Sequence, residues 1–209
     1  VYGDVAVDDG RIVQVNGSKA AAGKREINAN GALLTPGWVD VHTHYDGQCT
    51  WVPYLSPSSW HGVTTAVMGN CGVGFAPVKP QMREWLIQLM EGVEDIPNAA
   101  LSEGIKWQWE TFPEYMDALE KMPRALDIGC QVPHGALRPY VMGENGVESN
   151  DATPEEIEEM RRITREALLA GALGFSTSRT LIHKGADGKY VPGTFARLDE
   201  VFGIGRALG

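Results

Sequence analysis

The sequence has no cluster of lysine and arginine residues and no apolar run near the roughly 20 residues that a membrane span requires. Its 18 basic residues are outnumbered by 27 acidic residues, which gives a net charge of -9. Because nucleic-acid surfaces depend on clustered basic side chains, we expect neither a nucleic-acid partner nor a membrane partner. No signal-peptide pattern is visible, so a cytoplasmic location is expected.

Cysteine is also scarce. The three cysteines, Cys49, Cys71 and Cys130, are an odd number and have no spacing typical of a disulfide framework. This usage favours a reducing compartment, in which the thiols are buried or bind a ligand.

The most informative stretch is 34–48, in which a turn at Pro36 and Gly37 is followed by a short apolar run and two histidines. Strand side chains at positions i and i+2 share a face, so His42 and His44 would present both imidazoles to one point. In a β/α barrel the carboxyl end of such a strand is where active sites lie. The pair therefore suits a metal such as zinc, although two histidines also meet by chance in a strand.

A second informative stretch, 69–72, directly follows another apolar, β-branched run. Its cysteine, Cys71, would lie at the carboxyl end of the strand beside the one that carries the histidines. Glycines on both sides let the backbone approach a bound species closely. Alone, Cys71 is as compatible with a buried structural thiol, but together with the histidine pair it indicates a metal ligand.

The order of patterns predicts an α/β fold with two parts, residues 1–35 and 36–209. The first part shows a hairpin about Asp9 and Gly10 and two further short strands at 25–28 and 32–34. In the second part strands alternate with helices, which indicates parallel strands and about the first four strands of a (β/α)8 barrel. The predicted strands are 38–42, 62–68, 125–132 and 172–177, and the predicted helices begin near 80, 111, 153 and 198.

Six motifs together resemble one known family, the N-acyl-D-amino-acid deacylases, or D-aminoacylases, of the metal-dependent amidohydrolase superfamily. The resemblance extends over essentially all 209 residues. The segments that carry it are 42–48, 55–65, 68–77, 90–97, 133–138 and 171–179.

The resemblance implies a β/α barrel with a small β-sandwich, part of which would be residues 1–35. It also implies one or two Zn²⁺ ions and hydrolysis of an N-acyl-D-amino acid, a small-molecule substrate. His42 and His44 match the family's metal ligands, and Cys71 matches the cysteine that replaces a bridging carboxylated lysine. Zinc in such a site lowers the pKa of water and polarises the amide carbonyl.

The family's general base is an aspartate late in the barrel, so no catalytic residue is assigned here. On this basis we expect the sequence to be the N-terminal half of such an enzyme and to be inactive alone. Two alternatives remain: a hydantoinase-like or dihydropyrimidinase-like cyclic-amide hydrolase, and a catalytically incompetent fragment. The first would need a lysine on the fourth strand, and 172–178 contains none.

Three further residues are candidates for binding substrate: His134, Arg179 and His183. His134 follows the third strand at the end where a barrel has its active site. Arg179 would suit an acidic substrate side chain through a bidentate contact, which makes acyl-D-Asp or acyl-D-Glu a candidate substrate. His183 lies in a polar loop, and His61 is predicted to be structural. The sequence does not indicate an oligomeric state.

Overall fold

A computed structural model describes residues 3–17, 22–148 and 150–209. The chain divides into two compact units, Val1–Pro36 and Gly37–Gly209. None of the described helices combines the length and the apolar character that crossing a membrane requires.

The first unit contains the predicted hairpin. Strands β1 (Asp4–Asp8) and β2 (Arg11–Gly17) pair in antiparallel fashion. Asp9 and Gly10, which join them, have φ values of 46° and 72°, the positive values that a tight hairpin turn requires. The two further strands predicted at 25–28 and 32–34 are wrong, because both segments lack strand structure and their apolar side chains are exposed. That this unit is part of a β-sandwich stays a prediction.

The second unit is built on a parallel four-stranded sheet in the order β3-β4-β5-β6, the half-barrel that the sequence predicted. All four carboxyl ends meet at one edge, and this edge carries the candidate site. The strands are β3 (Trp38–Asp40), β4 (Val63–Met68), β5 (Asp127–Pro133) and β6 (Gly174–Ser176).

The helices pack against this sheet. The helix starts predicted near 111 and 153 are confirmed, and each carries a capping box: Thr111 and Thr153 accept a hydrogen bond from the backbone N–H of the glutamate three residues later. Sequence reasoning missed α2, α4 and α5. The helices are α1 (Arg83–Glu94), α2 (Asn98–Gly104), α3 (Phe112–Glu120), α4 (His134–Met142), α5 (Glu144–Val147), α6 (Pro154–Leu169) and α7 (Leu198–Gly205).

The core contains a group of aromatic side chains. Trp109, Phe112 and Tyr115 are buried with their rings in contact. The Tyr115 hydroxyl donates to the backbone carbonyl of Asp46 at 2.7 Å, so the core also holds the chain just beyond the histidine pair. Cys49 and Cys130 are buried free thiols, as predicted for cysteines that are not ligands.

Candidate metal centre

The two histidines lie just beyond β3, which ends at Asp40 and not at position 42 as predicted. The chain nevertheless stays beside β4, because the backbone N–H and the hydroxyl of Thr43 both donate to the Val67 carbonyl, at 2.9 and 2.8 Å. Thr43 is thereby buried, and the flanking imidazoles of His42 and His44 lie side by side with ring centroids 5.4 Å apart.

Cys71 lies in a tight turn that follows β4 directly. Gly69, Cys71 and Gly72 all have positive φ, at 78°, 55° and 71°. A Cβ at position 69 would lie 2.2 Å from the Gln131 carbonyl oxygen, so only glycine fits there. For a cysteine this conformation is uncommon, and such backbone strain is typical of functional sites.

The turn is held by hydrogen bonds from two neighbouring segments. The Ser176 hydroxyl of β6 donates to the Gly69 carbonyl and accepts from the Gly72 N–H at 3.1 Å. The Asn70 side-chain amide donates to the Thr43 carbonyl at 3.2 Å. These contacts fix the Cys71 turn relative to the histidine segment before any metal binds.

The structure brings His42, His44 and Cys71 together. One potential ligand atom from each lies within 4.8 Å of the other two, and the distance from His42 Nε2 to Cys71 Sγ is 3.2 Å. Two imidazole nitrogens and one thiolate are a donor set that zinc favours. The ligand atoms around one tetrahedral zinc lie about 3.5 Å apart, which is close to the distance between His42 Nε2 and Cys71 Sγ.

The electrostatic environment keeps the imidazole of His44 neutral, the form that can bind a cation. Burial, and then the neighbouring His42 and His183, lower the pKa of His44 to about 4, so its imidazole is neutral at pH 7. Burial, followed by the nearby carboxylates Glu94 and Asp46, raises the pKa of the Cys71 thiol. A divalent cation at the sulfur would reverse that effect by stabilising the thiolate.

Two acidic residues, Asp46 and Glu94, lie near the cluster, and sequence reasoning did not single out Glu94. Burial raises the pKa of Asp46 to about 7. Glu94, the last residue of α1, places Oε1 3.3 Å from His44 Nε2, and burial, followed by Asp95, raises its pKa. The only sequence signal for Glu94 was its position within the 90–97 motif.

The contact between His44 and Glu94 provides a test of whether a metal fits. A neutral imidazole that donates from Nε2 to a carboxylate keeps a lone pair on Nδ1. Among the described residues, Nδ1 of His44 is buried and has no hydrogen-bond partner. Metal-binding histidines typically donate one ring N–H to a carboxylate and bind the metal with the lone pair of the other nitrogen. His44 has this arrangement, so the residues fit a metal.

His134 is not placed for the substrate contact that we predicted. It is fully buried at the start of α4, and both of its ring nitrogens are engaged. Nε2 lies 2.8 Å from the Glu200 carboxylate and Nδ1 lies 2.8 Å from the Thr177 hydroxyl. Arg138 also donates to Glu200, at 2.6 Å. The environment is that of a packed structural histidine, because no face of the ring is left for a ligand.

The other two substrate candidates lie in the segment that follows β6. Arg179 is exposed and donates from Nη1 to the Ala196 carbonyl at 2.8 Å. His183 is half-buried, and its Nδ1 lies 3.1 Å from the Ser178 hydroxyl. His61 is exposed in the short 3-10 helix Ser58–His61, before β4 and away from the carboxyl edge. Substrate contact by Arg179 and His183 stays a prediction.

Comparison with known proteins identifies the family to which this chain belongs. Residues 25–200 match the amidohydrolase family. The chain belongs to that family. It is 34% identical to an N-acyl-D-aspartate deacylase of Alcaligenes xylosoxydans xylosoxydans over 99% of this chain and 37% of that protein. The resemblance predicted from the motifs is confirmed.

Solved structures agree with this assignment. The fold is similar to that of a D-aminoacylase studied for its binuclear metal centre, with a TM-score of 0.76 and 31% identity over 98% of this chain and 38% of that one. It is also similar to an N-acyl-D-glutamate deacylase of Bordetella bronchiseptica in complex with zinc and a phosphonate inhibitor, with a TM-score of 0.74 and 29% identity over 97% of this chain and 38% of that one. The chain thus spans about two fifths of the length of these relatives.

Proposed function

We propose that this amidohydrolase chain carries the first part of a zinc site for hydrolysis of the amide bond in N-acyl-D-amino acids. The observation that carries the proposal is the cluster of His42, His44 and Cys71 at the carboxyl edge of a parallel half-barrel. Support also comes from relatives that are named for deacylation of N-acyl-D-aspartate and N-acyl-D-glutamate, the second of them in complex with zinc.

In this proposal His42, His44 and Cys71 hold the metal. Glu94 positions His44 by accepting its Nε2–H, which keeps Nδ1 free for the cation. Zinc, when bound, supplies Lewis-acid polarisation of the scissile carbonyl and a lowered pKa for water. The base that accepts the water proton is not assigned to any residue of this chain.

We also propose a class of substrate, on the basis of the positive charge of Arg179. Arg179 is exposed at the carboxyl side of β6 and uses one guanidinium nitrogen to donate to the Ala196 carbonyl. Its remaining N–H groups suit a carboxylate, so an N-acylated acidic D-amino acid, N-acyl-D-Asp or N-acyl-D-Glu, is the proposed substrate.

The cyclic-amide alternative is less well supported. It requires a lysine at the end of the fourth strand, where β6 ends in Ser176, and the hydroxyl of Ser176 is already engaged by the Cys71 turn. The other alternative, a chain without catalytic competence, agrees with the unassigned base and is tested by the same experiment.

The test is zinc content after exhaustive dialysis, together with hydrolysis of N-acetyl-D-Asp, N-acetyl-D-Glu and their L enantiomers. We expect near-stoichiometric zinc that is lost in His42→Ala and Cys71→Ala. The matched controls are His61→Ala, at an exposed histidine, and Cys49→Ala, at a buried thiol, and both should retain zinc. Zinc that persists in His42→Ala and Cys71→Ala would contradict the ligand assignment. Zinc without D-selective hydrolysis agrees with the expectation that this chain is inactive alone, and D-selective hydrolysis that a chelator abolishes would overturn that expectation.

A further inference from the structure

The turn that carries Cys71 is enclosed by two backbone segments, and each contact depends on a glycine. On one side, a Cβ at Gly135 in the first turn of α4 would lie 2.6 Å from the Gly72 carbonyl oxygen. On the other side, a Cβ at Gly72 would lie 3.1 Å from the backbone nitrogen of Ser178 and 3.2 Å from Thr177 Cα. The start of α4 and the chain beyond β6 therefore form two walls around the turn.

The side chain of His134 joins these two walls. His134 is the first residue of α4, directly before Gly135, and its Nδ1 lies 2.8 Å from the hydroxyl of Thr177. The ring is fully buried and packs edge-on against Phe175 of β6, with ring centroids 5.1 Å apart. A Cβ at Gly193 would clash with Nδ1, so the chain also closes over the ring at that point. The ring is thus held in one orientation between the two walls.

Glu200 of α7 sets the orientation of this imidazole. Nε2 of His134 lies 2.8 Å from the Glu200 carboxylate, which also accepts from Arg138 at 2.6 Å. Because a carboxylate can only accept, the neutral ring donates from Nε2 and accepts at Nδ1 from the Thr177 hydroxyl. A buried ion pair contributes little net stability compared with apolar side chains of similar volume. Stability alone therefore does not account for this network, and a geometric role does.

The position of the Cys71 sulfur depends on these walls because the turn is not a relaxed conformation. Cys71 has a φ of 55°, which is uncommon for any residue other than glycine. Its sulfur lies 3.2 Å from His42 Nε2, close to the separation of about 3.5 Å between two ligand atoms of one tetrahedral zinc. A turn that relaxed or shifted would change this separation, so the walls determine whether both atoms can bind one ion.

We propose that His134 is a positioning residue for the metal centre, which holds the two walls around the Cys71 turn and thereby fixes the cysteine sulfur beside His42. His134 is not itself a ligand and acts through Thr177 and Gly135. The proposal rests on the function proposed above, since it requires Cys71 to bind the metal. It also connects α7 to the site, through the carboxylate that orients the imidazole.

The test is a titration of the metal-free chain with Co²⁺, in which the thiolate-to-cobalt absorption reports the bond to the Cys71 sulfur. Thr177→Val removes the hydroxyl that donates to His134. His134→Gln removes the acceptor at Nδ1 but can still donate to Glu200. We expect each variant to weaken Co²⁺ binding at least tenfold and to shift or diminish the absorption. Thr177→Ser keeps the hydroxyl and should match the wild type.

A matched control separates positioning from a general loss of stability. Thr164 is fully buried in α6, and its hydroxyl donates to the Met160 carbonyl at 2.8 Å, so Thr164→Val removes a comparable hydrogen bond outside the site. Its Co²⁺ affinity and absorption should match the wild type. Gly135→Ala removes no hydrogen bond but presses on the Gly72 carbonyl, so it should weaken Co²⁺ binding as Thr177→Val does. Near-ultraviolet circular dichroism identifies any variant that fails to fold, and the proposal is then judged from the remaining variants.

The outcomes separate this proposal from the proposed function. Wild-type affinity and absorption in both His134→Gln and Thr177→Val overturn the positioning role and leave the ligand assignment intact. Equal weakening in Thr177→Val and Thr177→Ser also overturns it, because the effect would not then come from the hydroxyl. Equal weakening in Thr177→Val and Thr164→Val overturns it as well, because the effect would not be specific to the site. A wild type that binds no cobalt, or binds it without thiolate absorption, overturns both proposals, since Cys71 would not be a ligand.

Discussion

At the scale of single residues, the conformation of Gly69 is the most restrictive feature of the candidate metal centre. Its φ of 78° disfavours any side chain by roughly 1–2 kcal/mol. A Cβ there would also lie 2.2 Å from the backbone oxygen of Gln131, which has little freedom to move, and such overpacking costs about 1–3 kcal/mol. We therefore expect Gly69→Ala to lower the free energy of unfolding by about 2–5 kcal/mol and to displace Cys71.

The measurement is urea unfolding together with zinc retention. Gly188→Ala is the matched control, because Gly188 has the same φ of 78° with no heavy atom within 4 Å of an added Cβ. The control should cost about 1–2 kcal/mol, from the φ value alone. Equal losses in the two variants would show that contact with Gln131 does not constrain the turn.

The residues that sequence reasoning brought together are those with short, regular spacing. His42 and His44 are two positions apart on one extended segment, and Cys71 follows the adjacent parallel strand, so strand geometry alone predicts that they meet. Glu94 and the surroundings of His134 could not be predicted in this way. Their contacts depend on how α1 and α7 pack against the sheet edge, which no local pattern encodes.

At the scale of elements, the Thr153 capping box sets the start of α6. The Thr153 hydroxyl accepts from the Glu156 N–H at 3.2 Å, and the Glu156 carboxylate accepts from the Thr153 N–H at 2.8 Å. Thr153→Ala removes one half of the box, so we expect a loss of about 1 kcal/mol in the free energy of unfolding. Thr153→Ser keeps the hydroxyl and should lose little. Urea unfolding of both variants is the measurement, and equal losses would exclude capping as the cause.

Elements were predictable where local signals and packing agree, as in α3 and α6. They were not where packing overrides the signal. Pro139 lies inside α4, where it removes a backbone donor and normally ends a helix, but the segment remains helical in a largely buried environment. In the first unit the opposite happened. The apolar residues at 25–28 and 32–34 suggested strands, but no described strand pairs with either segment. Without a pairing partner, neither segment forms a strand.

At the scale of the whole molecule, a buried network joins the carboxyl edge of the sheet to the last helix. His134 at the start of α4 donates from Nε2 to Glu200 of α7 and accepts at Nδ1 from the Thr177 hydroxyl beyond β6. Arg138 supplies the opposite charge to Glu200. The neutral imidazole is thereby fixed as the Nε2–H tautomer, and protonation of Nδ1 would require the Thr177 hydroxyl to accept the hydrogen bond that it now donates.

This network makes stability depend on pH with a defined sign. Burial lowers the pKa of His134 below its ordinary 6.5, and the hydrogen bond to Glu200 opposes that shift only in part. Burial acts to raise the pKa of Glu200, but hydrogen bonds from His134 and Arg138 outweigh it, so the pKa is lowered. Both groups bind more protons when the chain is unfolded. Stability is therefore complete above pH 6.5 and is lost as the pH falls through the folded-state pKa values.

Comparison of the wild type with His134→Gln isolates the histidine, because a glutamine side chain can still donate to Glu200 but does not titrate. From pH 6.5 downwards the wild type should lose up to about 1.4 kcal/mol per pH unit more than the variant, which corresponds to one proton. Urea unfolding from pH 8 to pH 5 measures this difference. Because other buried groups, such as His44, are present in both proteins, their contributions cancel in the comparison. Parallel stability curves would mean that the pKa of His134 is the same in the folded and the unfolded protein, and the inferred effect of burial on His134 would then be wrong.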